Sequence, residues 1–273
     1  VTITVYGPSV AAMTTVVITG SASGMGAALR ARLEADGQRV IGVDLAGSGA
    51  EVDADLSTPE GRSLMADRVA EVSGGTIDRL VANAGIQSMD GSLAGRIVAT
   101  NYFGAVATLE LLRPLLANGT DPAAVAVSSN STTTMPGYPA ELADVLLSGD
   151  EAAAVAAVGD DALNAYPVSK LALGRWVRRH ATTAEWIGSG IRLNAVAPGF
   201  ISTAMTEGTW EFVDSLGEVY PIPIGRPGRA EELAALMAFL LSPEAGFMVG
   251  SFVTCDGGTE AAVQADTWPA PRP

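Results

Sequence analysis

The chain has 273 residues, 48% of them hydrophobic and 17% charged, a composition that predicts a globular protein with room for one large domain. Its formal net charge of −14 repels phosphate groups and anionic lipids, so we expect neither nucleic acid nor a membrane as a partner. The single cysteine, Cys255, and the single histidine, His180, exclude an intrachain disulfide and a cluster of thiolate or histidine ligands, so we expect no metal.

The two ends of the chain differ in composition from its middle. Residues 1–12, VTITVYGPSVAA, have neither a basic region nor a long apolar run, and no stretch of about 18 apolar residues predicts a membrane span. We therefore expect a cytoplasmic protein. Because Met13 directly precedes the first strong strand pattern, we predict that residues 1–12 are an extension outside the fold. Residues 261–273 are proline-rich and predict either a loose tail or an arm packed on a partner subunit.

Apolar, β-branched segments alternate with helical patterns from residue 15 onwards. We predict strands at 15–19, 39–44, 51–56, 77–83, 123–128, 191–197 and 252–255. We predict helices at 26–37, at 57–72 behind the capping box STPE, at 93–116, around NAYPVSK (164–170) and at 231–241. Uniformly apolar strands joined by helices predict an α/β fold, a single-domain, Rossmann-like doubly wound sheet of about seven parallel strands with helices on both faces, over residues 13–260.

The glycine-rich segment TGSASGMG (19–26) lies between the first strand and the first helix. In this position Gly20 allows a tight turn, Gly24 lets the backbone approach a pyrophosphate, and Gly26 lets the helix lie close to the sheet. The unpaired N–H groups at the start of the helix favour phosphates. The segment therefore predicts a dinucleotide site, the alternative being a turn that binds nothing.

Asp44 ends the second predicted strand, 18 positions after Gly26. A carboxylate at this place can accept both hydroxyl groups of an adenosine ribose and repels a 2′-phosphate. No arginine or lysine lies at 21–25 or 45–47 to bind such a phosphate. We therefore predict NAD(H) as the cofactor in preference to NADP(H), the alternative being that Asp44 is an ordinary turn residue.

Taken in chain order, these and later motifs resemble the short-chain dehydrogenase/reductase family from residue 15 to about 259. TGSASGMG is similar to the family's TGxxxGxG, DADLS (53–57) to its adenine-flanking segment, and NAG (83–85) to the end of its fourth strand. Asn101 in VATNYFG, the serine pair that ends AVAVSS, and Tyr166 and Lys170 as YxxxK match its catalytic positions. RLNAVAPGFISTAM is similar to the segment that meets the nicotinamide amide.

The resemblance implies a set of residues that contact NAD. They are Gly20, Ser23, Gly24, Met25, Gly26, Asp44, Leu45, Asp55, Leu56, Asn83, Ala84, Gly85, Tyr166, Lys170, Pro198, Gly199, Ile201 and Thr203. A narrower likeness, in ADLSTPEGR, NYFGA, PAAVAVSS and GIRLNAVAPG, is to the bacterial 3α-hydroxysteroid dehydrogenase/carbonyl reductases. It implies NAD-linked oxidoreduction of 3-hydroxy/3-keto steroids and other carbonyl compounds.

Four residues, Asn101, Ser129, Tyr166 and Lys170, are the predicted catalytic group. Tyr166 is the candidate acid/base, with Lys170 one helical turn away, the alternative being an exposed pair of polar residues. A cation about 4 Å away at an effective dielectric near 20 contributes roughly 4 kcal/mol. With the help of the positive charge of an oxidised nicotinamide, this predicts a phenol pKa lowered from about 10 to near 7. Because proline fits the first helical turn, Pro167 predicts that the helix begins close to Tyr166.

The resemblance gives the other two members of this group their roles. Ser129 would bind the substrate oxygen, with Ser128 as the alternative if the strand register differs by one residue. Asn101 would hold a water that connects Lys170 to solvent, the alternative being a polar residue that bends its helix.

The 37 positions between Ser129 and Tyr166 are far more than most of the family has. We predict an insertion at about 132–163 with two acidic helices, LADVLL and DEAAAVAAV, separated at Ser148-Gly149. It either covers the substrate pocket or covers a helix face that the family uses in tetramers. We therefore expect a homodimer, with a homotetramer as the alternative.

The segment 202–225 is rich in large apolar side chains and suits a hydrophobic ring system. We predict Ser129, Met205 and Trp210 as substrate contacts, the alternative for the last two being ordinary packing. The predicted function is an NAD-dependent oxidoreductase that interconverts a secondary alcohol and a ketone on an apolar cyclic substrate, such as a 3-hydroxy/3-keto steroid. The alternatives are a general carbonyl or cyclic-alcohol dehydrogenase and a non-catalytic NAD-binding sensor.

Overall fold

A parallel sheet of seven strands, in the order β3-β2-β1-β4-β5-β6-β9, forms the centre of the protein in a computed structural model that describes residues 13–267. These strands are Thr15–Thr19 (β1), Arg39–Asp44 (β2), Val52–Asp53 (β3), Arg79–Ala82 (β4), Ala123–Val127 (β5), Arg192–Pro198 (β6) and Phe252–Cys255 (β9). A separate two-stranded sheet pairs Ile201–Ser202 (β7) with Gly228–Arg229 (β8). The predicted fold class is confirmed.

Helices cover both faces of the seven-stranded sheet, because its central strands are apolar on both sides. The helices are Gly24–Ala35 (α1), Pro59–Ser73 (α2), Ala94–Val98 (α3), Ala105–Leu116 (α4), Ser131–Thr134 (α5), Leu142–Leu147 (α6), Glu151–Val158 (α7), Ala162–His180 (α8), Trp210–Ser215 (α9), Ala230–Leu241 (α10) and Thr259–Val263 (α11). One apolar core lies under α1 and α10, and a larger one under α2, α3, α4 and α8. The strand order reverses direction at β1 and β4, so the carboxyl ends of these strands flank a cleft where such sheets bind ligands.

The predicted helix at 93–116 is interrupted by a π-helical turn, Ala99–Gly104, between α3 and α4. A π turn leaves a carbonyl without its normal helical partner, and such turns are frequent at functional sites. Here Arg62 from α2 donates to the Ala99 carbonyl at 2.9 Å. A Cβ atom on Gly104 would lie 2.8 Å from the Leu56 carbonyl, so glycine allows the turn between β3 and α2 to pack directly on the π turn.

The insertion contains the two predicted helices, α6 and α7, with the break at Ser148-Gly149. Asp150 caps α7 by accepting from the Ala153 N–H at 2.9 Å. Both helices pack against the helices that flank the site. A Cβ atom on Gly95 of α3 would lie 2.9 Å from Val155, and Asp144 of α6 faces the arginines at 175 and 179 of α8. The insertion therefore covers a helix face, and its two helices do not cover the cleft.

Three predicted helix starts differ from the structure. The first helix, α1, begins at Gly24 and not at residue 26, and in the other two the capping residue explains the shift. In α2 the N-cap is Thr58, which accepts from the Gly61 N–H at 3.0 Å, so Glu60 does not occupy the capping-box position. In α8 the cap is Asp161, which accepts from the Asn164 N–H at 3.1 Å. The helix thus begins one turn before Tyr166, and Pro167 lies inside it.

The predicted extension at 1–12 lies outside the described residues, as do the last six residues of the predicted tail. The part of that tail that is described continues α11 beyond residue 260. The Gln264 side chain donates to the Thr133 carbonyl at 2.8 Å, which fixes this part against the start of the insertion.

Candidate active site

A cleft of about 1130 Å³ opens at the carboxyl ends of the strands. All but one of the residues predicted to contact the cofactor line it, namely Gly20, Ser23, Gly24, Met25, Asp44, Leu45, Asp55, Leu56, Asn83, Ala84, Gly85, Tyr166, Lys170, Pro198, Gly199, Ile201 and Thr203. The exception is Gly26, which is buried behind the turn. A Cβ atom there would lie 2.0 Å from the Gly20 carbonyl, so Gly26 acts by allowing α1 to approach the sheet.

The glycine-rich turn is shaped to receive a phosphate group. Gly20 and Gly24 have φ angles of 66° and 52°, which side chains other than glycine rarely adopt. Asn83 fixes the turn to β4 by donating to the Thr19 and Gly20 carbonyls at 3.0 and 3.1 Å. No side chain caps the first turn of α1, so its N–H groups are left for a ligand. These residues fit a dinucleotide.

Asp44 ends β2 and lines the cleft beside the glycine-rich turn. Its carboxylate accepts from the N–H groups of Ala22 and Leu45 at 2.9 and 2.8 Å, which orients it along the cleft wall. The nearby guanidinium of Arg30 already contacts Glu34 at 2.8 Å and Glu51 at 2.5 and 3.0 Å. Arg30 is therefore held by two carboxylates and is not a free phosphate ligand.

Ser129 and Tyr166 both line the cleft, and Ser129 lies close enough to Tyr166 to act on the pKa of its hydroxyl. The end of β5 turns the Ser129 side chain toward the cleft, and its hydroxyl also accepts from the Ser131 N–H at 3.1 Å. Ser128 points the other way, because its hydroxyl donates to the Lys170 carbonyl at 2.8 Å. The strand register thus brings Ser129, and not the alternative Ser128, to Tyr166.

Burial dominates the electrostatics of Tyr166 and Lys170. It raises the pKa of Tyr166 above its usual value, and the nearby Ser129 side chain offsets part of that rise. Burial also lowers the pKa of Lys170 to about 8. The Lys170 ammonium lies 5.8 Å from the centre of the Tyr166 ring and donates to the Val127 carbonyl at 2.8 Å. In the protein without cofactor, burial therefore outweighs any lowering of the Tyr166 pKa by Lys170, and a lowering in the presence of oxidised nicotinamide stays a prediction.

Asn101 lies in the π turn and is fully buried. Both polar groups of its side chain are bonded to Ile86, accepting from the N–H at 2.8 Å and donating to the carbonyl at 2.9 Å. A Cβ atom on Gly85 would lie 3.2 Å from the Asn101 oxygen and 3.3 Å from the Lys170 nitrogen. Asn101 thus holds the chain after β4 beside Lys170. Its side-chain amide keeps a second N–H and a second lone pair, so the predicted contact with a water stays a prediction.

The two predicted apolar substrate contacts differ in position. Met205 lines the cleft, whereas Trp210 does not and instead packs on the Phe200 ring, with 5.7 Å between ring centres. Two groups of lining residues were not predicted as substrate contacts, although the second belongs to the apolar segment 202–225. They are Thr134, Met135, Pro136 and Leu163 at the two ends of the insertion, and Thr209, Phe212, Val213, Leu216, Val219 and Tyr220 in the segment after β7. Only the ends of the insertion therefore reach the cleft.

The fold and the cleft are those of a dinucleotide-binding oxidoreductase, with Ser129 at the end of a central strand and Tyr166 on the neighbouring helix α8. A family model described as "short chain dehydrogenase" matches residues 14–140, and one described as "Enoyl-(Acyl carrier protein) reductase" matches residues 151–260.

Two curated proteins are similar over nearly the whole chain. The 3-alpha-hydroxysteroid dehydrogenase/carbonyl reductase of Comamonas testosteroni is 39% identical, over 92% of this chain and 98% of its own length. The cis-4-hydroxycyclohexanecarboxylate dehydrogenase of Sinomonas cyclohexanicum is 31% identical, over 90% of this chain and 96% of its own length.

A solved structure has the same fold over the same extent. The crystal structure of the 3-alpha-hydroxysteroid dehydrogenase from Pseudomonas sp. B-0831 complexed with NADH aligns with a TM-score of 0.83 and 38% identity, over 93% of this chain and 100% of that one. The chain belongs to the short-chain dehydrogenase/reductase family, and it is an oxidoreductase. Both resemblances stated from the sequence are confirmed.

Two further observations concern residues 13–267. No helix in this range has both the length and the apolar composition that a membrane span requires. The same residues contain no group of three or more His, Cys, Asp or Glu side chains arranged to bind a metal ion.

Proposed function

We propose that the protein uses NAD(H) to interconvert a secondary alcohol and a ketone on a neutral, apolar, cyclic substrate, of which a 3-hydroxy/3-keto steroid is the leading case. The observation that carries the proposal is that the side chains of Ser129 and Tyr166 lie together in one cleft that continues from the glycine-rich turn to an apolar end. The similar hydroxysteroid dehydrogenases support the same reaction.

In the proposed reaction the two hydroxyl groups hold the substrate oxygen and polarise its bond. Tyr166 removes the hydroxyl proton when the alcohol is oxidised and returns it when the ketone is reduced. A bound nicotinamide would supply the hydride chemistry, and its positive oxidised ring would favour the tyrosinate that burial otherwise disfavours. Lys170, with a pKa lowered to about 8, exchanges protons readily near neutral pH. Asn101 keeps Ile86 and Gly85 beside Lys170.

The charges around the cleft favour a neutral substrate. Among the described lining residues, the cations are Arg96 and Lys170. Arg96 is paired with Asp55 at 3.1 Å on the cofactor side, and Lys170 lies behind Tyr166. A carboxylate at the apolar end would be buried without a partner, which is costly. The proposed substrate is therefore neutral, unlike the cyclohexanecarboxylate in the name of the Sinomonas relative.

The proposal is tested with a matched pair of alcohols, cis-4-methylcyclohexanol and cis-4-hydroxycyclohexanecarboxylate, beside a 3α-hydroxysteroid. We expect kcat/KM for the neutral ring to exceed that for the carboxylate by about tenfold or more, because an unpaired buried charge costs well over 1 kcal/mol. The measurement is NADH absorbance under initial-rate conditions. A preference for the carboxylate, or no turnover of any cyclic alcohol, would refute the proposed substrate class.

Asp44 supports NAD(H) over NADP(H), because its carboxylate faces the cleft and the nearby Arg30 is already paired. The double substitution Asp44→Ala, Leu45→Arg is expected to shift the ratio of kcat/KM for NAD⁺ to that for NADP⁺ by about a hundredfold toward NADP⁺, the scale of losing one or two charge-assisted hydrogen bonds. Asp53→Ala is the control, since Asp53 pairs with Asp44 in the sheet and does not line the cleft. An unchanged ratio would remove Asp44 from cofactor selection.

The assembly and location follow as further proposals. Because α6 and α7 cover the outer face of α3 and α8, we propose a homodimer formed elsewhere on the surface, and the exposed rings of Phe239 and Phe247 near the edge strand β9 give it an apolar surface. A tetramer in light scattering would overturn this assignment. The single cysteine, which is unpaired, is compatible with the proposed reducing, cytoplasmic location.

A further inference from the structure

The segment 203–220, called the lid below, forms the outer wall of the apolar end of the cleft. It contains α9, and it presents Met205, Phe212, Leu216 and Val219 to the cleft. The lid begins after β7, which pairs with β8, and the chain is fixed again where the Ile224 N–H donates to the Gly257 carbonyl at 3.1 Å. The lid is thus held firmly at both of its ends.

Between these two ends the lid has few polar contacts with the rest of the protein. The hydrogen bonds of residues 204–219 join lid residues to one another or to Ile201 directly before the lid, through the hydroxyls of Thr206, Thr209 and Ser215 and through local backbone turns. In the described chain, the remaining hydrogen bond of the lid comes from Tyr220, whose hydroxyl donates to the Asn130 side-chain oxygen at 3.0 Å. This bond joins the lid to the residue directly after Ser129.

Asn130 is well placed to receive that bond. It is buried, and its own N–H donates to the Pro198 carbonyl at 2.9 Å. Its side-chain nitrogen donates to a carboxylate oxygen of Asp256 at 3.1 Å. Asp256 in turn accepts from the N–H groups of Gly258 and Glu260 at 3.0 and 2.8 Å. Because an ionised carboxylate only accepts, Asp256 fixes the amide so that its oxygen faces Tyr220.

The Tyr220 hydroxyl remains a donor throughout the working pH range. Burial, together with the nearby charges of Asp256 and Tyr166, raises the pKa of Tyr220 to about 12. The contact is therefore not lost when Tyr166 ionises during the proposed reaction. Tyr220 also lines the cleft, so its ring lies at the boundary between the lid and the reacting groups.

We propose that Tyr220 is a positioning residue that holds the lid closed over the substrate through Asn130 and Asp256. The proposal rests on the proposed function, in which Ser129 and Tyr166 bind the substrate oxygen. In this role the Tyr220 hydroxyl connects the lid, which is the apolar wall of the cleft, to Asn130, the residue directly after Ser129. Opening of the lid exposes the apolar end to water and weakens substrate binding. The glycine-rich turn and Asp44 lie outside the lid, and Thr203 lies at its fixed end directly after β7, so cofactor binding is kept.

The test is Tyr220→Phe in the full chain, which removes one hydroxyl and keeps the ring. We expect KM for the alcohol to rise about fivefold, the effect of one neutral hydrogen bond, with kcat within twofold and KM for NAD⁺ unchanged. The control is Tyr138→Phe, because the Tyr138 hydroxyl donates to the Thr132 carbonyl at 2.7 Å and does not line the cleft. We expect the control to leave these constants unchanged.

A second readout does not depend on turnover. The lid contains Glu207, Glu211 and Glu218, so cleavage by a glutamate-specific protease reports its opening. We expect Tyr220→Phe to speed cleavage in the lid severalfold, without a comparable change for Tyr138→Phe. If the protein does not turn over cyclic alcohols, KM cannot be measured, but the cleavage rate still tests the contact between Tyr220 and Asn130. Unchanged cleavage and KM, equal effects of the control, or a large loss of kcat at constant KM would each overturn the positioning role.

Discussion

Replacement of Tyr166 by phenylalanine is expected to lower kcat by about 10²–10⁴-fold, the usual contribution of one positioned acid or base. The ring remains and the packing of α8 is kept, so NADH binding measured by fluorescence titration should stay within about twofold. Tyr138→Phe again serves as the control, since it removes a hydroxyl outside the cleft. Retention of near-full kcat would remove Tyr166 from the mechanism, and the same outcome for Ser129→Ala would remove its partner.

The protonation state of Tyr166 also sets the direction in which each rate changes with pH. Alcohol oxidation needs the tyrosinate, so its rate is expected to rise with pH up to the pKa of the cofactor complex. Ketone reduction needs the phenol and is expected to fall over the same range. Because burial raises the pKa of Tyr166 in the protein alone, ultraviolet titration without cofactor should show no tyrosinate from this residue near pH 7.

The parts of the site that the sequence predicts well depend on local spacing. The glycines of the turn, Asp44 at the end of a strand, and Tyr166 with Lys170 one turn apart are all fixed within a single element or its border. The sequence limits the predicted catalytic serine to two neighbouring candidates at the end of a strand. The contacts of Ser128 with Lys170 and of Ser129 with Tyr166 then distinguish them.

The parts that the sequence does not predict depend on contacts between distant segments. The pKa of Lys170 follows from burial, which no local pattern specifies. The π turn that contains Asn101 includes the Ala99 carbonyl, which accepts a hydrogen bond from Arg62, 37 residues before Ala99 in the chain. Trp210 and Tyr220 are equally suitable lid residues by composition, yet only Tyr220 lines the cleft, because Trp210 packs on Phe200. A helical segment fixes which residues share a face, but not which face meets the ligand.

Arg62 makes contacts that join three parts of the protein. Its guanidinium donates to the carbonyls of Leu56 and Ala99 at 2.8 and 2.9 Å, one in the cofactor wall and one in the π turn. It also forms a two-bond pair with Glu151 of α7 at 2.5 and 2.8 Å. The Arg62 side chain is 9% exposed and that of Glu151 is 28% exposed, so the pair is largely removed from water. The insertion therefore supplies the counter-charge for the arginine that supports the π turn.

Arg62→Met is expected to lower the free energy of unfolding by about 3–5 kcal/mol, because two buried carbonyls lose their donor and Glu151 loses its counter-charge. For a chain of this size the melting temperature should fall by roughly 10 °C. Calorimetry or denaturant unfolding measures the change. Arg32→Met is the control, because the Arg32–Asp36 pair is about half exposed on both sides and such pairs contribute about 1 kcal/mol or less.

The contribution of the insertion is isolated by adding Glu151→Leu to Arg62→Met. In Arg62→Met the Glu151 carboxylate has lost its counter-charge. If Glu151 acts as the partner of Arg62, replacing it as well removes this unpaired charge, and the double variant should be more stable than Arg62→Met alone. Glu151→Leu by itself should be destabilising, because it leaves the more deeply buried guanidinium unpaired. Additive effects of the two substitutions would contradict the coupling, and the insertion would then be only a cover on α3 and α8.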